Sequence, residues 1–401
     1  MRFTIVGGGV AGITAAKALR ERAEGAEITV FSQDKYPYYS KIRLPQLLDG
    51  RVELSGMFMY PENWYEDRAI NVRLASEITA VDPQAKTVEV DGSTQEYDKL
   101  LLAHGARAFV PPIEGLPKEG AFTLWTIDDA LKIREAAARA KRGIVIGGGV
   151  LGLEVASSLS RLGLEVTVVE MFPRLLPRQL DQEGAELLQR SIEATGVKFV
   201  LGAATEMITG SDAVGGARMK DGSELNGDLI VISAGARSNI SIAAVANLET
   251  GKGIIVDDYL QTSHPDILAA GDVIEHAGRL YGIIPPAIEQ AQVAASNMVE
   301  PKSARYGGST PSNTLKVSGV SVTSVGLAQP DGAGYEIHRA RDEEAGTYRK
   351  LVVQDNRLVG AIIVGTRKNV SLVRRMIREK HSLDGKAQGL LEENARPEDF
   401  L

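Results

Sequence analysis

The sequence predicts an α/β protein made of two copies of one strand–turn–helix unit, with a smaller α+β part after them. Two observations predict the copies. Ile5-Val6-Gly7-Gly8-Gly9-Val10-Ala11-Gly12 stands near the start, and Val145-Ile146-Gly147-Gly148-Gly149-Val150-Leu151-Gly152 stands in the middle. Each is G-x-G-x-x-G directly after an apolar run and directly before a helix-like stretch, the pattern of a Rossmann-like dinucleotide-binding unit. A third observation predicts the smaller part: past Gly307-Gly308-Ser309 and Pro311 the pattern changes to alternating strands and one terminal helix.

Taken in order, Phe3–Val6 reads as a strand, about Val10 to Arg22 as a helix with Ile13, Ala16 and Leu19 on its apolar face, and Ile28–Phe31 as the second strand. A Tyr- and Pro-rich loop, Tyr36 to Pro45, follows, and Thr87–Val90 and Lys99–Ala103 read as short strands. Pro111-Pro112 and Pro117 mark a boundary. The second unit runs from Gly143 through Val166–Glu170, with further strands at Phe199–Leu201 and Leu229–Ser233 and a helix from Pro286 to Val299. Beyond it come strands at Asn313–Val317, Thr347–Val353 and Leu358–Gly365, a helix near Val370–Lys380, and a polar tail of little period from Lys386. The expected domains are 1–115 with 240–305, 116–239, and 306–401.

Composition is that of an ordinary globular protein, 44% hydrophobic and 24% charged, with a formal net charge of −7 that argues against nucleic acid as a partner. No apolar run reaches the ~18 residues of a membrane span. The glycines inside the first apolar run speak against a signal peptide, which places the protein in the cytoplasm. There is no cysteine, so disulfides, thiolate metal sites and thiol catalysis by this chain are excluded. The five histidines form no close ligand pair, and no metal is expected.

In each loop the first glycine makes the turn, the second lets backbone approach a pyrophosphate, and the third lets helix pack on strand. The helix N-terminus then offers free N–H groups to phosphate. Gly7, Gly9, Val10, Ala11 and Gly12 would form one site, and Gly147, Gly149, Val150, Leu151 and Gly152 the other. Two dinucleotides in one protein point to electron transfer between a nicotinamide and a flavin. Glu170 ends the second strand of the second unit, where a carboxylate accepts hydrogen bonds from a ribose diol and repels a 2′-phosphate. NADH is therefore favoured over NADPH, with the nearby Arg174 counting the other way. In the first unit Ser32 takes the place of the acid, with Gln33 and Asp34 beside it.

Leu268-Ala269-Ala270-Gly271-Asp272, preceded by Thr262-Ser263-His264-Pro265, resembles the second FAD signature of the two-dinucleotide flavoprotein reductases. The resemblance implies that Gly271 and Asp272 bind the ribityl chain of FAD; a helix N-cap aspartate is the plain alternative. Leu102-Ala103-His104-Gly105-Ala106 resembles the family's A-T-G crossing between domains, with His104 at the Thr or Ser position. Val231 to Asn239, including Gly235, resembles the return crossing. Ile284-Pro285-Pro286-Ala287 with Gln290 resembles the helix start that faces the flavin pyrimidine edge.

Within this group the chain is most similar to NADH:rubredoxin reductases and the N-terminal module of NADH-dependent nitrite reductases. Tyr39-Ser40-Lys41-Ile42-Arg43-Leu44-Pro45 resembles their Y-S-R-P-R-L-P loop, with Lys41 replacing Arg. Thr314-Leu315-Lys316-Val317-Ser318-Gly319-Val320 resembles their C-terminal opening, and Leu124-Trp125-Thr126 through Asp129 resembles L-R-T-x-x-D with Trp125 for Arg. The resemblance places Lys41, Arg43, Ala103, Gly105, Pro286 and Ala287 on FAD, and Glu154 and Gly235 on NADH. His104, Lys41 and Trp125 are expected near the flavin, where they either alter the acceptor side or carry no functional weight. Glu154 sits beside the nicotinamide or is simply an acid stabilised by the helix dipole.

The expected activity is hydride transfer from NADH to FAD, with the donor roughly 3–3.5 Å from the acceptor atom, and no side-chain acid or base is required. Without a thiol, electrons must pass directly from flavin to an acceptor, best a small iron–sulfur protein of the rubredoxin or ferredoxin type. The alternatives are an electron-input subunit of a larger reductase, an NADH:quinone oxidoreductase, and a flavin-holding interaction protein. Residues 365–381 carry Arg367, Lys368, Arg374, Arg375, Arg378 and Lys380 against the single acid Glu379. That patch could steer an acidic redox protein, or its stripe of Val370, Val373, Met376 and Ile377 could rest on a membrane surface.

Overall fold

The structure is a computed structural model and describes residues 1–400 except 318, 384, 393, 394, 397 and 399. Ser318 of the motif quoted above thus lies outside the described residues. The chain divides into two compact units, Met1–Lys41 with Glu53–Arg107 and Ala236–Ser309, and Ile42–Val52 with Ala108–Gly235 and Thr310–Leu401.

The first unit is built on a parallel sheet in the order Ile267–Ala269, Lys99–Leu102, Arg2–Val6, Glu27–Phe31, Ile70–Arg73. Its central strands read as near-continuous apolar runs because parallel sheets are covered on both faces. Helix Val10–Arg22 buries Ile13, Ala16 and Leu19 and packs along helix Ile284–Val299. Both helices bury several alanines: Ala11, Ala15, Ala16 and Ala18 in the first, and Ala287, Ala291, Ala294 and Ala295 in the second. This unit also holds an antiparallel ribbon, Ile78–Asp82, Thr87–Val90 and Ser93–Glu96, and a parallel pair, Ile254–Val256 with Ile274–His276.

The second unit repeats the plan. Its parallel sheet runs Lys198–Leu201, Glu165–Glu170, Arg142–Ile146, Leu229–Ile232, Ala121–Thr123, with helix Val150–Arg161 after the glycine strand. An antiparallel ribbon at Thr205–Thr209, Gly216–Met219 and Glu224–Asn226 matches that of the first unit. To this the chain adds a five-stranded antiparallel sheet ordered Ser312–Val317, Val320–Gly326, Arg357–Val364, Thr347–Gln354, Glu336–Asp342. Helix Gln182–Glu193 packs against its middle strands. The short helix Leu44–Leu48 packs on helices Ile127–Ala137 and Val150–Arg161, with the Ser158 hydroxyl donating to the Pro45 carbonyl at 2.8 Å.

Two expectations are corrected here. The apolar stripe Val370, Val373, Met376 and Ile377 of helix Val370–Glu379 is buried among Leu351, Leu358 and Ile363, so it has no face left for lipid. The tail from Lys386 is not uniformly polar chain: Ala387–Leu391 forms a 3-10 turn whose Ala387, Leu390 and Leu391 join the same core. Among the described residues no helix is long and apolar enough to cross a membrane.

Candidate functional site

The first glycine loop shows why its residues are glycines. Gly7 has φ +116°, and a Cβ there would collide with the Ala103 carbonyl oxygen; a Cβ on Gly12 would collide with the Gly7 carbonyl oxygen. Around Gly9, by contrast, a Cβ would meet nothing within 4 Å. Gly9 is the N-cap of helix Val10–Arg22, without a side-chain cap and with no acid in the first turn. An open approach to an uncapped helix N-terminus fits a pyrophosphate. Ser32, buried at the end of strand Glu27–Phe31, faces Gly8: a Cβ on Gly8 would lie 2.8 Å from its hydroxyl oxygen. Gln33 is exposed, and the Asp34 carboxylate accepts from the Tyr39 hydroxyl at 2.7 Å.

The structure brings the distant Gly271-Asp272 to this loop. Gly271 has φ +86°, and a Cβ there would lie 2.9 Å from the Ala11 methyl and 3.9 Å from that of Ala287. Its N–H donates to the buried Gln290 side chain at 2.9 Å, and Gln290 in turn donates to the Tyr306 hydroxyl at 3.1 Å. The Ser238 hydroxyl donates to the Asp272 carbonyl at 2.6 Å. No helix starts at Asp272; a turn and strand Ile274–His276 follow, so the N-cap alternative falls away. Burial holds the Asp272 carboxyl above the usual carboxylate range, opposed by the positive charge of Lys41. Helix Ile284–Val299 opens at an N-terminus without a side-chain cap, with Pro286 and Ala287 buried.

The second loop matches the first group by group. Gly147 has φ +118° and a Cβ on it would collide with the Ser233 carbonyl oxygen, Gly152 abuts the Gly147 carbonyl, and Gly149 is open. Gly7 and Gly147 each donate at 2.8 Å to the end of the neighbouring strand, at Phe31 and Val169. The end of the second strand differs: Glu170, 6% exposed, accepts from the Gly148 N–H at 2.6 Å and the Phe172 N–H at 2.9 Å. Each carboxylate oxygen keeps a further lone pair for a hydroxyl. Arg174 is turned elsewhere. Its Nε donates to the Leu180 carbonyl at 3.1 Å, and one Nη donates to the Pro177 carbonyl and the Gln329 side chain, both at 3.2 Å.

Other predicted residues have mixed settings. Lys41 and Arg43 lie exposed in the 3-10 turn Lys41–Arg43. His104 pairs through Nε2 with the Asn239 carbonyl at 2.7 Å, while Asn239 donates to the Gly105 carbonyl at 3.0 Å. A carbonyl only accepts, so Nε2 carries the proton, and burial holds the ring pKa below its usual range against the Asn239 bond. Gly235 has φ +104° and its carbonyl accepts from Phe109 at 2.9 Å. Thr126 and Asp129 form a capping box on helix Ile127–Ala137, which gives the motif around Trp125 a structural reason. Glu154 is the fifth residue of helix Val150–Arg161, past its first turn, and is electrostatically coupled to Arg51. Sequence reasoning missed Arg51, which grips the fully buried Asp49 carboxylate through Nε at 2.8 and 2.9 Å. Asp49 lies only two residues before it, but nothing in the sequence shows that Arg161, from the remote helix Val150–Arg161, meets the same carboxylate at 3.5 Å.

Two glycine-loop folds in one chain, one with a buried glutamate at the end of its second strand and one with a remote aspartate, fit the class of flavin-dependent NAD(P)H oxidoreductases, here without a cysteine to form a redox disulfide. The model of the family described as pyridine nucleotide-disulphide oxidoreductase matches residues 1–297, and that of the rubredoxin NAD+ reductase C-terminal domain matches 311–381. The chain belongs to the pyridine nucleotide-disulphide oxidoreductase family, whose cofactors are FAD and NADH. It is 37% identical to nitrite reductase [NAD(P)H] of Bacillus subtilis over 94% of this chain and 47% of that protein. It is 34% identical to an NADH oxidase of Methanocaldococcus jannaschii over 91% and 88%. It is 28% identical to NADH-rubredoxin oxidoreductase of Clostridium acetobutylicum over 96% of both, and the solved structure of that protein superposes with a TM-score of 0.79. The chain spans about half the length, or less, of the nitrite and nitrate reductase proteins it matches.

Proposed function

We propose that this chain is an FAD-dependent oxidoreductase that takes hydride from NADH and passes electrons to a small iron–sulfur redox protein such as rubredoxin. The observation that carries this reading is the asymmetry of two otherwise matching loops, a carboxylate at Glu170 against a hydroxyl at Ser32. Bound FAD supplies acceptance of two electrons from NADH and their release one at a time. Gly7, Gly9, Val10, Ala11 and Gly12 would hold its pyrophosphate, and Asp272 its ribityl chain. Gly105 and Ala103 would border it, with Pro286 and Ala287 at the helix end that favours negative charge on the ring. Gly147, Gly149, Val150, Leu151 and Gly152 would hold the NADH pyrophosphate, and Glu170 its adenosine ribose. A chain without cysteine offers no thiol to carry electrons onward.

For the acceptor, helix Val370–Glu379 and its flanks supply the charge. Arg367, Lys368, Arg375, Arg378 and Lys380 are exposed, while Arg374 turns inward to the Thr314 hydroxyl. Glu379 is held down to about 2 by Arg378, His381 and Arg375, so it stays ionised and offsets only part of this charge. Such a surface speeds encounter with an acidic partner. A second reading, the electron-input subunit of a larger reductase, is favoured by matches that cover only half of the nitrite reductases. Steady-state NADH oxidation with rubredoxin, ferredoxin, quinone and dye acceptors tests the proposal. Rapid, salt-sensitive reduction of an iron–sulfur protein supports it; turnover with dyes alone contradicts it.

A further inference from the structure

The segment between Glu170 and helix Gln182–Glu193 is wound back over the second glycine loop. The Leu176 N–H donates to the Gly148 carbonyl at 3.1 Å, while the Gly148 N–H donates to Glu170. Leu175 and Leu176 are fully buried, and Leu176 takes a left-handed φ of +47°, a conformation a leucine adopts only when its surroundings hold it there. The residues on either side of it are held from the C-terminal antiparallel sheet and its loops. Gln329 bridges the segment, accepting from Arg174 at 3.2 Å and donating to the Pro177 carbonyl at 3.1 Å. At the far end Asp181 caps helix Gln182–Glu193, and its other oxygen takes the Tyr348 hydroxyl at 2.8 Å and the buried Lys350 ammonium at 3.2 Å.

We propose that Gln329, together with Tyr348, positions the nicotinamide-nucleotide site: by gripping residues 171–181 from the C-terminal part, they aim Glu170 at the adenosine ribose and withhold Arg174 from a 2′-phosphate. The physical logic is one of competing acceptors. A guanidinium has five donors, and here three of those of Arg174, on Nε and one Nη, are directed to two backbone carbonyls and one amide oxygen. Removing the amide oxygen leaves one N–H of that arm without its acceptor, next to the proposed site where a phosphate dianion would supply a better one. Coenzyme preference would then be set in part by a residue that touches no coenzyme.

This rests on the NADH-site reading above. The test is calorimetric titration of the FAD-loaded protein with NAD⁺ and NADP⁺, which bind without turnover. Gln329→Ala is expected to weaken NAD⁺ and strengthen NADP⁺ by about 3- to 10-fold each, the scale of one hydrogen bond. Gln329→Glu still accepts from Arg174 but cannot donate to the Pro177 carbonyl, so it is expected to show no NADP⁺ gain. In the double variant Gln329→Ala with Arg174→Met the NADP⁺ gain disappears. Tyr348→Phe, which loosens the far end without touching Arg174, weakens NAD⁺ with no NADP⁺ gain. A Gln329→Ala protein that melts normally and binds both coenzymes as the wild type does, or loses both in equal proportion, overturns the inference. Wild-type protein that binds no NAD⁺ would instead remove the reading on which it rests.

Discussion

At the scale of single residues, two carboxylates do opposite things with the same chemistry. Glu170 is held by two backbone N–H groups, and in the proposed site it would accept from a ribose diol. Replacing it by alanine is expected to weaken NADH by about 10- to 100-fold, the ~1.5–3 kcal/mol of hydrogen bonds to a charged group, and to leave FAD retention unchanged. Coenzyme titrations of the two proteins check this. Asp272 is instead buried at a cost. Because its folded pKa is raised, the folded apoprotein binds its proton more tightly than the unfolded chain does. Stability on this account is lost as pH rises from the ordinary carboxylate range through the raised value. Asp272→Asn is therefore expected to raise the melting temperature of the apoprotein at neutral pH, to lose that advantage in acid, and to weaken FAD retention. Thermal melts at both pH values, with flavin absorbance, follow all three. Arg174 shows the limit of sequence reading at this scale: its spacing put it near the ribose, but its donors go to the Leu180 and Pro177 carbonyls and to Gln329, far along the chain.

At the scale of elements, the glycine loops were legible because steric demands are local. The turn at Gly7 and Gly147, and the packing at Gly12 and Gly152, follow from neighbours a few residues away and one adjacent strand. Gly7→Ala forces a Cβ against the Ala103 carbonyl at a positive φ, a strain of about 1–3 kcal/mol or more. It should release FAD while NAD⁺ titration persists, and Gly147→Ala should do the reverse. The hydrophobic pattern of residues 370–380 was also legible, but not what it faced. The same stripe suits a lipid surface or a sheet, and only the strands around Leu351 and Ile363 decide for the sheet. The attachment of Leu44–Leu48 to the second unit was invisible for a like reason, since it turns on the Pro45 carbonyl and Ser158. The cationic side of the terminal helix remains exposed. Arg375→Glu with Arg378→Glu is expected to lower kcat/KM for an acidic protein acceptor about tenfold at low salt, by loss of steering. A small neutral dye should be reduced at the wild-type rate, and a salt series separates the two.

At the scale of the whole molecule, entry and exit of electrons have different kinds of support. Entry rests on a repeated sheet order and two loops alike in their glycine turns and in the Gly7 and Gly147 backbone bonds, but different at the end of the second strand, Ser32 against Glu170. Exit rests on a sequence without cysteine and on a cationic helix in a C-terminal part matching the rubredoxin NAD+ reductase C-terminal domain. The most direct measurement is therefore anaerobic: FAD-loaded protein, NADH, and either rubredoxin or a dye, with acceptor reduction followed as salt is raised. The account predicts NADH-driven reduction of rubredoxin that slows with salt while dye reduction stays constant. Dye reduction with no transfer to rubredoxin or ferredoxin at any salt concentration would contradict it.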